Sequence, residues 1–330
     1  MIRGLQPGIG ILEGWGLNTF TDDQLDEIHM ATLDVLQNYG VGVYNDEALD
    51  IFEGGGAIVD RGSSHVKIPA YLVEDAIRSA PSTILLAGRV PEYDVTVQGG
   101  RIGFVNFGTG VRVIDPFTSE HRTTTLNDLA QTALVCDAME HVDVFIIAVD
   151  ASDVPESIAK GLIEAEAMFT NTAKHTIHGD FFSGVEGIQK FIQMAGALVG
   201  GVENLRERPI ATVGGCPASP LELTGELCYI ITEAARVGLP IMVLSMAMAG
   251  ASAPVTLAGT LVTHNAEVLS GLVLQQLVSK GGPFIYGSST TMMDMNYATA
   301  PVGAPELGMI SAGATALARH YKLPCFMAGG

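Results

Sequence analysis

The stretch PIATVGGCPASPLELTGELCYIITEAARVGLPIMVLSM (209–246) reads as one strand–helix–strand unit. Its outer runs, PIATVGG (209–215) and PIMVLSM (240–246), are short, apolar and rich in β-branched residues. Between them lies a segment long enough for a helix. A strand that returns through a helix to another strand pairs in parallel, by a right-handed crossover. Near-continuous apolar strands imply burial on both faces of the sheet.

Working outward, the same alternation recurs. Comparable runs are RIGFVNFG (101–108), DVFIIAVD (143–150), KHTIHG (174–179), PFIYGSS (283–289) and LPCFMAGG (323–330). A doubly wound sheet and a TIM barrel both fit alternation alone. The strand ends favour the barrel, because nearly every run finishes in Gly, Ser, Thr, His, Cys or Asp, as expected of one central site ringed by loops. A dinucleotide-binding sheet would concentrate its signal in one glycine-rich turn, and neither GxGxxG after the first strand nor GxxxxGK[ST] occurs. The expected fold is therefore α/β, a TIM (β/α)8 barrel with about seven of its strands. The last run coincides with Gly330, so either one strand of the ring escapes this reading or the chain is cut short at its C-terminus.

Upstream, residues 18–40 have helical spacing, with Thr21 as cap and Gly40 as stop. Residues 46–53 and the segment after Pro69 give two more helices, and 83–105 reads as a glycine-broken hairpin region. The expected division is an N-terminal helical extension over 1–82 packed on a barrel domain over 83–330.

Composition narrows the function classes. The 330 residues are 48% hydrophobic and 16% charged, with mean hydropathy +0.33, which excludes a disordered chain. Thirty-six acids against 17 bases give a net charge of −19, without the basic footprint that nucleic acid requires. The acidic balance suits a cationic substrate or a basic partner, and equally simple solubility. The apolar runs are broken by Gly, Pro, His and Glu before a bilayer-spanning length, so no membrane partner is expected. Residues 1–16 do not read as a signal peptide. Cys136, Cys216, Cys228 and Cys325 lack a CxxC pair and suggest reduced thiols in a cytoplasmic protein. A homo-oligomer is also expected.

Several groups could carry chemistry. His175 and His178 in HTIHGD would point to opposite faces of a strand, which disfavours a shared metal. His264 and Glu267 in THNAE share a helix face and could ligate a metal or form a hydrogen-bonded pair. Cys216 could be a nucleophile, but no base lies near it in sequence. YGSSTT (286–291) could form a phosphate nest or a pocket wall. Met246, Met248, Met292, Met293 and Met295 could be core filler or an adaptable wall. Glu306 could serve the helix dipole or stand at the barrel mouth.

Longer blocks are more specific. CPASPLELTGELC (216–228), residues 233–277, YGSSTT (286–291) and TAPVGAPELGMISAGATALARHYKLPCFMAGG (299–330) closely resemble the trimethylamine methyltransferase family. FTDDQLDEIHMATLDVLQNYGV (20–41), NFGTGVRV (106–113) and NTAKH (171–175) fit the same family. The resemblance implies a TIM barrel that transfers a methyl group from trimethylamine to the Co(I) corrinoid of a cognate corrinoid protein, releasing dimethylamine. It also implies a pyrrolysine just after Gly330, whose electrophilic imine takes up the amine, and a family chain that continues beyond it. The 330-residue chain itself is then expected to be inactive. The DxHxxG motif of corrinoid binding is absent, so no cofactor and no metal is expected on this chain. Glu267 and Glu306 are the candidate catalytic residues, stabilising cationic nitrogen or bonding the imine ring. Thr109, His178, Tyr286 and Ser289 are candidates for lining the substrate pocket. Two other readings stand beside this one: a pyrrolysine-free relative that demethylates glycine betaine or another quaternary amine, and a non-catalytic barrel subunit.

Overall fold

The computed structural model describes residues 20–179 and 182–328; the N-terminal segment read above for a signal peptide lies outside them. Helix α1 (Asp22–Asp34) opens on a capping box, in which Gln24 N–H donates to the Thr21 hydroxyl and Gln24 Oε1 accepts from Thr21 N–H. Leu25, Ile28, His29, Thr32 and Leu33 form its buried stripe. One π-helical segment (Val35–Tyr39) continues it to Gly40, at φ +96°. A side chain there would meet the Val66 carbonyl at 2.3 Å, so both space and backbone require glycine. Helices α2 (Asp46–Gly55) and α3 (Ala70–Ser79) follow.

Short strands Val41–Val43, His65–Lys67 and Ile58–Asp60 make an antiparallel sheet beside these helices, and Glu222–Leu223 joins its edge in parallel. Three-residue strands carry too little periodicity to be read from sequence. One apolar core runs through both regions, containing Leu36, Phe52 and Val73 together with Ile230, Leu269 and Leu317.

The larger sheet has six parallel strands: β1 (Val144–Ile146), β2 (His175–His178), β3 (Ala211–Gly215), β4 (Ile241–Ser245), β5 (Phe284–Ser288) and β6 (Cys325–Met327). Each pairs with its sequence neighbours, as successive crossovers dictate. Helix α4 (Leu126–Ala138) precedes β1, and α5 (Ile158–Asn171), α6 (Gly184–Leu198), α7 (Gly225–Val237), α8 (Leu257–Val278) and α9 (Pro305–His320) connect the strands in turn. The result is a curled half-barrel.

The expected strand at 101–108 is not a ladder strand. It touches β1 through one bridge, Val105 to Val144, with the Asp143 and Val144 amides on the Phe104 carbonyl. Gly103 and Gly108 interrupt the run, and glycine weakens a strand because it offers no side chain to pack.

Alternation sorts the sheet's two faces. Val213, Ile241, Val243, Phe284 and Tyr286 pack outward with the helices. Val144, Ile177, Met242 and Ile285 point inward, against Ile84 and Leu86. The latter two belong to a hairpin of Thr83–Leu86 and Val95–Gln98. Ala87 N–H donates to the carbonyl of Pro209, just before β3, and Arg89 N–H to that of Ala173, just before β2. The hairpin therefore plugs the N-terminal ends of the strands and leaves the approach at their C-terminal ends.

Helix α8 is 22 residues long and apolar enough to span a membrane, contrary to the expectation from its interrupting residues, but 72% of its span is buried inside the fold. An all-round apolar helix in such a position is a core element. Gly271 lets it approach β4: an added Cβ would lie 2.7 Å from Val243 Cγ2.

Candidate active site at the C-terminal ends of the strands

Glu267 is 1% exposed. Its Oε1 accepts from Leu221 N–H at 3.0 Å, and its Oε2 from the hydroxyls of Ser245 at 2.6 Å and Ser219 at 2.9 Å. Helix α8, the end of β4 and the loop after β3 thus meet at one carboxylate. Burial raises its pKa, and the three donors only partly oppose this.

His264, one turn earlier, does not pair with Glu267 directly. Its Nδ1 lies 2.9 Å from Thr290 Oγ1, Thr290 donates to the Ser245 carbonyl at 3.2 Å, and the two hydroxyls lie 3.3 Å apart. The HxxE spacing therefore builds a chain through two hydroxyls. His264 Nε2 is buried with no hydrogen-bond partner, and burial pushes the imidazole down to about 3. No group of three or more potential metal ligands occurs among the described residues.

Ser289 is half-buried just beyond β5, and its N–H donates to the Ser245 carbonyl at 2.9 Å. It and Glu267 therefore converge on Ser245. By alternation Ser289 shares the inward face with Ile285 and Gly287. Thr109 stands across the sheet, donating to the Ile147 carbonyl beside the end of β1 at 3.3 Å. Glu306 is half-buried in the first turn of α9, which follows β5.

Two of the residues read as pocket lining face the helices instead. His178 packs its ring against Phe191, with centroids 4.6 Å apart, and Phe169, at 5.3 Å, and bonds Thr176 Oγ1 at 2.9 Å. Burial pushes it down to about 3. His175, of opposite parity, lies against the plug, 3.1 Å from the Ala87 carbonyl. Tyr286 is fully buried, and its hydroxyl donates to Asn265 Oδ1 at 2.9 Å. Strand parity alone turns these side chains away from the interior, and a sequence does not reveal which parity faces the helices when both faces are apolar.

Sequence reasoning missed a charged group at the end of β1. Lys160 Nζ lies 2.7 Å from Asp150 and 2.5 Å from Glu156. Burial alone would raise the Asp150 carboxyl, but hydrogen bonds from Lys160 and Ser152 outweigh it and the net shift is downward. Glu164 nearby is 1% exposed; one oxygen accepts from Ala151 N–H at 2.9 Å, the other has no hydrogen-bond partner, and burial raises its pKa. The terminal Asp of DVFIIAVD was the available signal. The methionine-rich segments pair with each other, Met248–Ala249 alongside Thr291–Met292, and leave Met246 51% and Met295 74% exposed.

A family model described as trimethylamine methyltransferase matches residues 14–330. A trimethylamine methyltransferase of Desulfitobacterium hafniense is 51% identical over 99% of this chain and 65% of its own length. One from Methanosarcina thermophila is 45% identical over 98% of this chain and 67% of its own. A glycine betaine methyltransferase of Desulfitobacterium hafniense is 28% identical over 95% of this chain and 64% of its own. The chain spans about two thirds of the length of these relatives. With 317 consecutive residues, 14 through 330, matched by the one family model, the chain belongs to the trimethylamine methyltransferase family.

Proposed function

We propose that the chain forms part of a trimethylamine:corrinoid methyltransferase, which moves a methyl group from trimethylamine to the Co(I) corrinoid of a cognate partner protein and releases dimethylamine. One observation carries this reading: identity is 51% and 45% to two trimethylamine methyltransferases but 28% to the glycine betaine enzyme, over nearly the same residues. The half-barrel is read as part of a closed TIM (β/α)8 barrel, with residues 1–82 as its extension, in a cytoplasmic homo-oligomer. The corrinoid is the methyl acceptor and belongs to the partner.

The plugged sheet gives the chain's own residues a division of labour. Ile285, Met242 and Ile177 make an apolar floor that keeps water from a small amine. Glu306, and the Asp150–Lys160–Glu156 cluster with two carboxylates to one ammonium, supply negative charge near the open end, where cationic nitrogen is stabilised. A carboxylate 4 Å from an ammonium is worth on the order of 1 kcal/mol in bulk water and about 4 near a protein surface. Ser289 and Thr109 offer hydroxyls from opposite sides of the sheet. Glu267 enters this scheme by holding the loop after β3.

The test uses enzyme purified from its native host together with reduced corrinoid protein. Trimethylamine should produce methylated corrinoid and dimethylamine in equal amounts, and glycine betaine should produce neither. Methyl transfer from glycine betaine with none from trimethylamine would overturn the reading.

A further inference from the structure

We propose that Glu267, Ser245, Thr290 and His264 form a single proton-relay chain behind the mouth of the half-barrel, with His264 as a positioning residue whose tautomer follows the protonation of Glu267. This goes beyond the methyl-transfer reading and does not depend on it.

The donors can be assigned one by one. With Glu267 ionised, Ser245 spends its proton on Oε2 at 2.6 Å. Its Oγ can then only accept, so the Thr290 proton goes to Ser245, at the carbonyl 3.2 Å away or the hydroxyl 3.3 Å away. Thr290 Oγ1 is left to accept at 2.9 Å from His264, which must carry its proton on Nδ1. Nε2 is then a bare lone pair, as suits a buried nitrogen without a hydrogen-bond partner.

Adding one proton reverses the three bonds that link the relay side chains, Glu267 to Ser245, Ser245 to Thr290 through their hydroxyls, and Thr290 to His264. With one proton taken up from solvent and ending on Nε2, the Nδ1 proton passes to Thr290, the Thr290 proton to the Ser245 hydroxyl 3.3 Å away, and the Ser245 proton to Glu267. The product is a neutral carboxylic acid and a neutral Nε2–H imidazole, one proton richer than the starting chain. No heavy atom needs to move, and no imidazolium persists. Burial favours this outcome at both ends, raising the Glu267 carboxyl and pushing His264 down to about 3. The titratable group packed against His264 is Tyr286, its ring centroid 5.3 Å away, and burial keeps that phenol neutral. Around Glu267 the groups that oppose burial are Ser245, Leu221 and Ser219, all uncharged.

The test is nitrogen NMR of the full chain labelled with 15N-histidine, with His264 assigned through His264→Asn. In the wild type, His264 should be Nδ1–H above the carboxyl's titration and change to Nε2–H below it, without an imidazolium signal. Glu267→Gln keeps the acceptor for Leu221 and donates permanently to Ser245, so it should fix His264 as Nε2–H at every pH. Thr290→Val should abolish the pH-linked change. An Nε2–H tautomer in the wild type at all pH values, or protonation of His264 to imidazolium in its place, overturns the relay. So does an unchanged Nδ1–H tautomer in folded Glu267→Gln. If that variant does not fold, the wild-type titration decides alone.

Discussion

Two polar networks hang from the same turn of α8 and behave differently. Asn265 faces the N-terminal region. Its amide donates to Thr32 Oγ1 at 3.0 Å and to the Tyr321 hydroxyl at 2.8 Å, and its carbonyl accepts from Tyr286. Tyr321 continues to His29 Nδ1 at 3.0 Å, and His29 Nε2 to Glu74 at 2.8 Å. That network ends at a cleft of about 540 Å³ lined by Asp26, His29, Glu74, Arg78, His320 and Tyr321. His264 and Glu267 face the other way, into a network that stays buried and leaves His264 Nε2 unpaired. The first network clamps helices together and saturates its polar groups. The second sits where strands end in loops, and keeps an unused ring nitrogen. A fully satisfied buried network fixes one structure, whereas a partly satisfied one retains chemical freedom.

The largest effect should come from acid acting on the buried histidines, His264 of the second network among them. His175, His178 and His264 have pKa values pushed by burial to about 4, 3 and 3. The unfolded imidazoles bind protons near pH 6.5 while the folded ones do not. Their stabilisation is therefore complete above about pH 6.5 and is lost as pH falls towards 3–4, at about 1.4 kcal/mol per pH unit for each. Urea unfolding across this range should show the decline. His264→Asn should remove one proton from its slope; an unchanged slope would mean that His264 is not buried neutral.

Asn265→Leu should cost about 3–4 kcal/mol, because it orphans buried groups on Thr32, Tyr286 and Tyr321. A loss below about 1 kcal/mol would show that the clamp is not what joins the N-terminal region to the sheet.

At Glu267 the contrast is between two replacements. Glu267→Ala should lose about 2–3 kcal/mol by stripping the Leu221 amide and two hydroxyls of their acceptor, while Glu267→Gln should stay within about 1 kcal/mol of the wild type. The raised carboxyl gives the Gln variant a further signature. A raised folded pKa contributes stability below the unfolded value that is lost as pH rises, so Gln should gain relative to the wild type as pH increases. Equal losses for Ala and Gln would break the assignment.

Glu74→Gln should have the smallest effect, about 1 kcal/mol or less, because its side chain is 43% exposed at the cleft rim. Thermal unfolding of this variant against Asn265→Leu would show how steeply the clamp's contribution rises from rim to core.

Much of this was legible in local patterns. Thr21 marks the start of α1, Gly40 marks the end of its π-helical continuation, and the Gly–Pro punctuation of 209–246 marks β3, α7 and β4. The polar strand ends gather at one end of the parallel sheet, and the spacing of His264 and Glu267 placed them on one helix face. Legibility failed where the answer depended on parity or distance. HTIHGD and YGSSTT do not say that His178 and Tyr286 turn towards helices, and nothing near Glu267 in sequence announces Ser219 or Ser245, 48 and 22 residues away.

The sequence by itself determined the alternation of strands and helices, the parallel pairing that follows from it, and the family. These rest on periodicity and turn chemistry, which are local. Only the tertiary structure decided that 101–108 contributes a single bridge to the six-stranded sheet, that a hairpin closes one end, and that adjacent residues of α8 serve separate networks. Those outcomes follow from which surfaces meet, and a hydrogen bond between residues far apart in the chain exists only once packing has brought its donor and acceptor within about 3 Å.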